Sequence, residues 1–309
     1  MTTFPSSRAR ATSSSPERPE PFDPAEALRI VRRRTTLVPK TALVLGSGLG
    51  ILAEGVAWDR SLSTEEIPGL PRSTVAGHSG RLLFGRWAGR SVVVAQGRSH
   101  LYEGYTAEEV TRIVRLFAAL GAKSLVLTNA SGGISARMMP GTLMLVEDQV
   151  NLQWRAPGRE PRAADGAGAG GAAGAGGAAG AASAANPRGL TSRPTYSPDL
   201  LAKAARAAVN AGVRLERGVL GVALGPSYET RAEIVMLERM GADAVCMSTA
   251  AEVAAANEIG LPVACISCVT NWAAGKSPAR LKHEDVTAGV AAVAPALRSV
   301  IERLILALA

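Results

Sequence analysis

The chain has few of the residues that mark membrane, secreted or metal-binding proteins. Aromatic residues make up 4% of its 309 residues, and it has three histidines and three cysteines. It contains no run of about 18 uncharged apolar residues, which argues against a membrane-spanning helix. The opening MTTFPSSRARATSSSPERPEP lacks the apolar core of a secretory signal. The missing secretion signal and the odd number of cysteines favour a cytoplasmic protein. With 47% hydrophobic but few aromatic residues, its core is expected to be aliphatic.

Two segments differ in composition from the rest of the chain. Residues 1–24 are rich in serine and arginine, which resembles a transit peptide, although a disordered N-terminal arm is the interpretation we favour. The segment at about 163–187 is dominated by glycine and alanine and offers little to bury, so it predicts a flexible insertion. Residues 25–309 are then expected to form one domain around that insertion.

The positive charge does not by itself indicate nucleic-acid binding. The formal net charge is +8 and the isoelectric point is about 9.9. The arginines are scattered, however, and no basic stripe interleaved with aromatic residues occurs. A small anionic substrate would explain local positive charge equally well, so we expect neither a nucleic-acid nor a membrane partner.

The cysteines do not form a convincing metal or redox motif. Cys265 and Cys268 are spaced C-x-x-C, but they lie in the apolar segment PVACISCVTN, which reads as a buried strand. An offset of three places the two thiols on opposite faces of a strand. A metal site would need two more ligands, and no second cysteine pair is present. We therefore predict buried core thiols, no metal site and a reducing compartment.

Strand-like and helix-like segments alternate from residue 40 to the end, which predicts an α/β fold. We expect a single domain with a central mixed, largely parallel sheet flanked by helices. Polar clusters follow the carboxyl ends of several strands, where such folds place their sites. The cluster QGRSHLYEGY, residues 96–105, follows the apolar run SVVVA. If that strand stays extended, Arg98, His100 and Tyr102 share one face.

Other clusters allow more than one interpretation. GSGLG at 46–50 could approach an anion through its backbone or form only a tight turn, and Ile51 breaks the dinucleotide fingerprint. Glu229 could cap the helix that follows it. Asn271 ends a buried strand and must satisfy both ends of its amide, which a ligand edge would do.

Taken in order, these motifs resemble the trimeric purine nucleoside phosphorylase family. The resemblance runs from about residue 40 to 305 through LGSGLG, AGHSGRLLFG, QGRSHLYEGY, LTNASGGI, LGPSYETRAE, GADAVCMSTAAEVAAANEIG, TNWAAG and KHEDV. It implies the nucleoside phosphorylase fold, a homotrimer, no cofactor, and inorganic phosphate as co-substrate.

The resemblance also assigns roles to individual positions. Asn271, Glu229 and His100 are the expected catalytic residues. The implied phosphate-binding positions are Ser47, His78, Arg98, His100 and Ser248. The implied ribose-binding positions are Tyr102, Met247 and His283. The implied base-binding positions are Ala130, Tyr228, Glu229, Val245 and Asn271. Glu103 matches an acid that supports the phosphate site.

The implied chemistry suits these residue types. Phosphate is the nucleophile, so neither a catalytic triad nor the carboxylate pair of most glycosidases is needed. Asn271 would donate to N7 of the leaving purine, where negative charge develops. Glu229 would accept N1–H of a 6-oxopurine, whereas adenine has no N1–H to offer. Expected substrates are inosine, guanosine and their deoxy forms, with purine salvage as the setting.

Two alternatives and one departure accompany this resemblance. A methylthioadenosine phosphorylase is less consistent with Glu229 and Asn271, and a catalytically silent nucleotide-binding module is less consistent with Arg98 beside His100. In this family, an aromatic side chain from the region that corresponds to 155–195 contacts the ribose bound by a neighbouring subunit. The last phenylalanine of this chain is Phe117, well before that region. Trp154 or Tyr196 could replace that aromatic.

Overall fold

The computed structural model describes residues 21–75, 77–153, 194–277 and 283–308; within the last range, the side chains of 283–285 are not described. The six helices in these ranges are α1 (Pro24–Arg34), α2 (Ala107–Ala119), α3 (Pro198–Ala211), α4 (Arg231–Arg239), α5 (Ala250–Glu258) and α6 (His283–Ala307). The nine strands are β1 (Thr41–Leu45), β2 (Trp58–Ser63), β3 (Arg81–Trp87), β4 (Arg90–Gln96), β5 (Ser124–Gly133), β6 (Leu143–Asn151), β7 (Glu216–Val222), β8 (Ala244–Cys246) and β9 (Val263–Trp272).

The nine strands form one sheet in the order β2-β3-β4-β1-β5-β8-β7-β6-β9. An additional parallel pairing of β5 with β9 closes β5, β8, β7, β6 and β9 into a ring. Five strand pairs are parallel and four are antiparallel, so the sheet is mixed as predicted. Within the described ranges, β2 is the single strand with only one neighbour, β3.

The sheet separates two aliphatic clusters because side chains alternate along each strand. In β1, Val44 packs into one cluster and Leu45 into the other. The predicted placement of the C-x-x-C thiols is confirmed, since Cys265 belongs to the first cluster and Cys268 to the second. Burial raises the pKa of Cys268 to about 12 and that of Cys265 well above its ordinary value. Both groups are therefore neutral core thiols.

Several helices begin at residues whose side chains cap the first turn. Thr106 and Thr230 begin α2 and α4, and each hydroxyl accepts a hydrogen bond from the third backbone N–H of its helix. Asp23 caps α1, and Phe22 packs against the first aliphatic cluster. The folded part of the chain therefore includes residues 22–24, which the sequence analysis placed in the N-terminal arm. Residues 1–20 of that arm and the Gly/Ala-rich insertion lie outside the described residues.

No helix in the described ranges is both long and apolar enough to cross a membrane. Over the same ranges, no group of three or more histidine, cysteine, aspartate or glutamate side chains could hold a metal ion.

Candidate active site

One cavity opens at the carboxyl ends of β1, β4, β5, β8 and β9. Of the thirteen catalytic or binding residues proposed from the sequence, eleven line it: Ser47, Arg98, His100, Tyr102, Ala130, Tyr228, Glu229, Val245, Met247, Ser248 and Asn271. His78 stands directly behind this lining. His283 begins α6, but its side chain is outside the part of the chain that the structure describes. The fold therefore gathers residues that are up to 224 positions apart (271 minus 47) around one space.

The cluster 96–105 reaches this cavity in a different way from the one predicted. β4 ends at Gln96, and Leu101–Glu103 form a short 3-10 turn, so Arg98, His100 and Tyr102 do not share a strand face. The His100 ring instead stacks between two others, 4.7 Å from Tyr102 and 5.2 Å from His78, centroid to centroid. Arg98, His100 and Tyr102 do line one cavity, as a shared direction predicts. The predicted reason was wrong, because β4 ends before these residues and they do not lie on an extended strand.

Gly97 makes this turn possible. Its φ is +107°, and a Cβ there would lie 2.6 Å from the Cβ of His78. Only glycine tolerates both the left-handed backbone and this close approach. The chain can therefore leave β4 and bring Arg98 beside His78.

Arg98 is buried, and its two terminal nitrogens are held by hydrogen bonds, whereas its Nε has no hydrogen-bond partner among the described residues. Its Nη2 donates to the Thr128 carbonyl (2.8 Å), and its Nη1 donates to Ser248 Oγ (3.0 Å) and Thr249 Oγ1 (3.3 Å). Its Nε lies 3.4 Å from a carboxylate oxygen of Glu252, which is equally buried. The guanidinium is thus a fixed positive charge at the cavity wall, balanced by one buried carboxylate.

His78 is neutral in this environment. Burial, followed by the neighbouring His100, lowers the pKa of His78 to about 4. Its Nδ1 lies 2.6 Å from the Arg98 carbonyl oxygen and 3.2 Å from the Arg98 backbone nitrogen, and the shorter of these contacts favours the tautomer with the proton on Nδ1. In that tautomer Nε2 accepts from the Ser47 hydroxyl, 3.1 Å away. His78 thereby fixes the position of Ser47 at the cavity.

Glu103 holds His100 in one orientation. One carboxylate oxygen of Glu103 accepts from the His100 backbone N–H (2.7 Å) and lies 3.1 Å from His100 Nδ1. The other accepts from the backbone and hydroxyl of Thr74. Burial raises the pKa of the Glu103 carboxyl, but the hydrogen bonds from His100 and Thr74 outweigh it and leave the pKa below its ordinary value. An ionised Glu103 leaves His100 Nε2 as the ring nitrogen available to other groups.

Glu229 lines the cavity with one carboxylate oxygen unpaired. Its Oε1 is buried and has no hydrogen-bond partner among the described residues. Burial raises the pKa of this carboxyl. Thr230, not Glu229, caps α4, so the capping interpretation of Glu229 was wrong. A buried acceptor without a donor is costly, which makes Glu229 the strongest ligand-binding candidate in the cavity.

Asn271 is held in one orientation across the same cavity. Its Nδ2 donates to the Trp272 carbonyl (2.9 Å), and its Oδ1 accepts from the Thr270 hydroxyl (2.8 Å). Because a carbonyl only accepts, this pair of partners fixes which end of the amide is the donor. Protein groups therefore satisfy both ends of the amide, which sequence reasoning had assigned to a ligand. One hydrogen of Nδ2 remains available.

Several lining residues were missed by sequence reasoning. They are Gly46, Val75, Asn129, Ser131, Gly132, Cys246, Thr270, Ala273 and Val286. All except Val75 lie inside motifs that had been chosen for other members, and for all of these but Val286 proximity to a strand end was the available signal. Burial raises the pKa of Cys246 to about 11, so this thiol is a neutral part of the wall.

The structure excludes one of the two candidates for the aromatic residue that, in this family, contacts a neighbouring subunit's ribose. Tyr196 is fully buried, and its hydroxyl donates to Gln149 Oε1 at 2.9 Å. A side chain packed in the core cannot reach a neighbouring molecule, so Tyr196 is not that residue. Trp154 lies outside the described residues.

Comparison with known proteins gives a consistent result. Residues 40–306 match the family model described as the phosphorylase superfamily. Purine nucleoside phosphorylase 1 of Bacillus subtilis is 39% identical over 84% of this chain and 89% of its own. Solved structures of a Schistosoma mansoni purine nucleoside phosphorylase with adenosine, and of a schistosome one with hypoxanthine, each have a TM-score of 0.74 and 32% identity. Each alignment covers 91% of this chain and 95% of the other.

Proposed function

The chain belongs to the phosphorylase superfamily and, within it, to the purine nucleoside phosphorylases, and we propose that it prefers 6-oxopurine nucleosides. Its reaction is the phosphorolysis of purine nucleosides, which transfers a pentosyl group from the base to phosphate. The observation that carries the proposed preference is the buried, unpaired Oε1 of Glu229 at the cavity. N1–H of a 6-oxopurine is a donor that would satisfy it, and adenine lacks this hydrogen.

The ligands of the solved relatives do not choose between the two purine classes, since one holds adenosine and another holds hypoxanthine. The chemistry of this cavity supports the 6-oxopurine class. An unpaired carboxylate oxygen facing the N1 lone pair of adenine would stay unpaired, at a cost of about 1–3 kcal/mol. The same oxygen facing N1–H would gain a charge-assisted hydrogen bond.

For the phosphate end we propose Ser47, Arg98, His100 and Ser248 as direct contacts, with His78 and Glu103 as their supports. Arg98 supplies a fixed charge, and His100 presents Nε2 because Glu103 engages its Nδ1. Phosphate held there would attack C1′ of the ribose from below. The bond from C1′ to the purine nitrogen then breaks, and its electron pair stays with the base.

Asn271 is proposed to stabilise this leaving base. Its remaining Nδ2 hydrogen would donate to N7 as the purine becomes anionic, and such a donor in comparable sites contributes about 2.7–4 kcal/mol. The ribose is proposed to lie between the two ends, against Tyr102 and Met247, with His283 as a further candidate. Ala130, Tyr228 and Val245 would form the walls beside the base. No metal or organic cofactor enters the proposed reaction.

We also propose that the protein acts as a homotrimer in the cytoplasm, as the family resemblance implies. The domain boundaries at residues 25–309 and the insertion at about 163–187 stay predictions.

A substrate panel tests this proposal. Purified protein is incubated with inosine, guanosine, adenosine and methylthioadenosine, with and without phosphate, and free base and pentose 1-phosphate are quantified. We expect phosphate-dependent cleavage of the first two and much slower cleavage of the others. A preference for methylthioadenosine would establish the rival activity, and no cleavage of any substrate would establish a silent binding module.

A further inference from the structure

Thr249 begins α5 but does not act as the other threonine caps do. Thr106 and Thr230 have φ of −74° and cap their helices with their hydroxyls. Thr249 has φ of +85°, a left-handed conformation that is strained for a β-branched residue, and its hydroxyl makes no capping bond. The side chain is buried and is not part of the cavity lining. Something other than helix capping therefore holds this hydroxyl.

Three polar groups surround the Thr249 hydroxyl. Asn129 Nδ2 donates to it at 2.8 Å, and Arg98 Nη1 donates to it at 3.3 Å. Ser248 Oγ lies 3.1 Å away. The Asn129 amide is held in this orientation because its Oδ1 accepts from the Ser267 hydroxyl. Thr249 is thus the meeting point of the buried network beneath the proposed phosphate site.

The number of hydrogens and lone pairs in this network determines which hydroxyl donates to which. A hydroxyl has one hydrogen and two lone pairs. The two N–H donors, from Asn129 and Arg98, occupy both lone pairs of Thr249 Oγ1, so its single hydrogen points to Ser248 Oγ. Ser248 Oγ also accepts from Arg98 Nη1 at 3.0 Å, so both of its lone pairs are occupied as well. The only free capacity of Ser248 is its own hydrogen, which is left for the cavity.

We propose that Thr249 is a positioning residue for phosphate: it fixes Arg98 and orients the Ser248 hydroxyl as a donor toward the bound anion. Phosphate oxygens accept hydrogen bonds. The Ser248 hydroxyl, which can only donate, is therefore oriented to bind phosphate before the anion arrives. This inference rests on the proposed function, and it adds a residue that touches neither substrate. The strained backbone at Thr249 is the conformation that places its hydroxyl in the network.

Removal of the hydroxyl should affect phosphate selectively. In Thr249→Val, two buried N–H donors lose their acceptor and Ser248 loses the hydrogen bond that directs its proton. We expect KM for phosphate to rise about tenfold, equivalent to one charge-assisted hydrogen bond, with KM for inosine within about threefold of wild type. Thr249→Ser keeps the hydroxyl and should rescue phosphate KM. If Thr249→Val does not fold, the less strained Thr249→Ala replaces it against the same serine variant.

The control for general destabilisation is Asp23→Ala, which removes the side-chain cap of α1, a helix that contributes no residue to this network. It should lower the unfolding temperature without changing phosphate KM. Isothermal calorimetry with inorganic phosphate on the nucleoside-free protein provides a readout that does not depend on turnover, and the same tenfold loss is expected there for Thr249→Val. Equal phosphate affinity in Thr249→Val (or its replacement Thr249→Ala) and Thr249→Ser, or equal rises in both KM values, would overturn the proposal. Absence of phosphate-dependent cleavage in the wild type would instead overturn the proposed function, and calorimetry would still test Thr249.

Discussion

Replacement of Glu229 by alanine should lower activity toward inosine while sparing adenosine. The variant removes a buried carboxylate oxygen that has no protein partner in the described structure and that we assign to N1–H of the base. A hydrogen bond to a charged group contributes about 1.5–3 kcal/mol. At about 1.4 kcal/mol per factor of ten, kcat/KM for inosine should fall about 10- to 150-fold. Adenosine makes no such bond, and removal of an unpaired acceptor should leave its kcat/KM equal or higher.

The assay is the initial rate of free-base release at saturating phosphate, measured for inosine and adenosine on the same preparation. Glu238→Ala is the matched control, because Glu238 is an exposed carboxylate near the end of α4, the helix that follows Glu229, and its side chain pairs with Lys276. That control should keep both rates, since exposed ion pairs contribute about 0–1 kcal/mol to stability. A change of less than about threefold for inosine, or an equal loss for both nucleosides, would refute the role of Glu229 in base recognition.

Three further outcomes are expected. Asn271→Asp should shift preference toward 6-aminopurines; unchanged kcat/KM ratios across the substrate panel would count against the Asn271 assignment. Glu252→Gln leaves the buried Arg98 charge uncompensated and should lower the unfolding free energy by about 3–5 kcal/mol, with added phosphate restoring more stability than in wild type; equal denaturant midpoints would contradict this. The pKa of His78 is about 4 in the folded protein and near its ordinary value in the unfolded chain, so unfolding takes up a proton between these two pH values. Stability should therefore fall as the pH drops from about 6.5 to about 4, and it should fall less steeply in His78→Asn. Parallel stability curves for the two proteins would exclude His78 as the cause.

The alternation of strands and helices was predictable from the sequence, because apolar runs mark the buried strands; the mostly exposed β2 has no such run and was not predicted. The two cysteines of β9 show this, since an offset of three was enough to place them on opposite faces. The backbone path that brings Arg98, His100 and Tyr102 to one cavity was not predictable in the same way. Alternation assumed an extended strand, whereas Gly97 adopts a left-handed conformation and turns the chain after Gln96.

Residues that act through others were the least visible in the sequence. Glu252 lies inside a helix and reads as an ordinary surface acid, but its burial against Arg98 depends on two segments about 150 residues apart. Thr249 reads as a helix cap, and only its backbone angle and neighbours show a different use. Such roles follow from tertiary contacts, which local propensity and periodicity do not encode.

The closure of β5 onto β9 also bears on how the protein behaves at high concentration. A sheet offers unpaired backbone groups at its edges, and these can recruit strands from other molecules. Within the described chain, only β2 keeps such an edge. That strand carries exposed Asp59 and Arg60 beside a β-bulge, two features that oppose edge-to-edge pairing. The same ring that gathers Glu229 and Asn271 around one cavity thus leaves little template for β-aggregation.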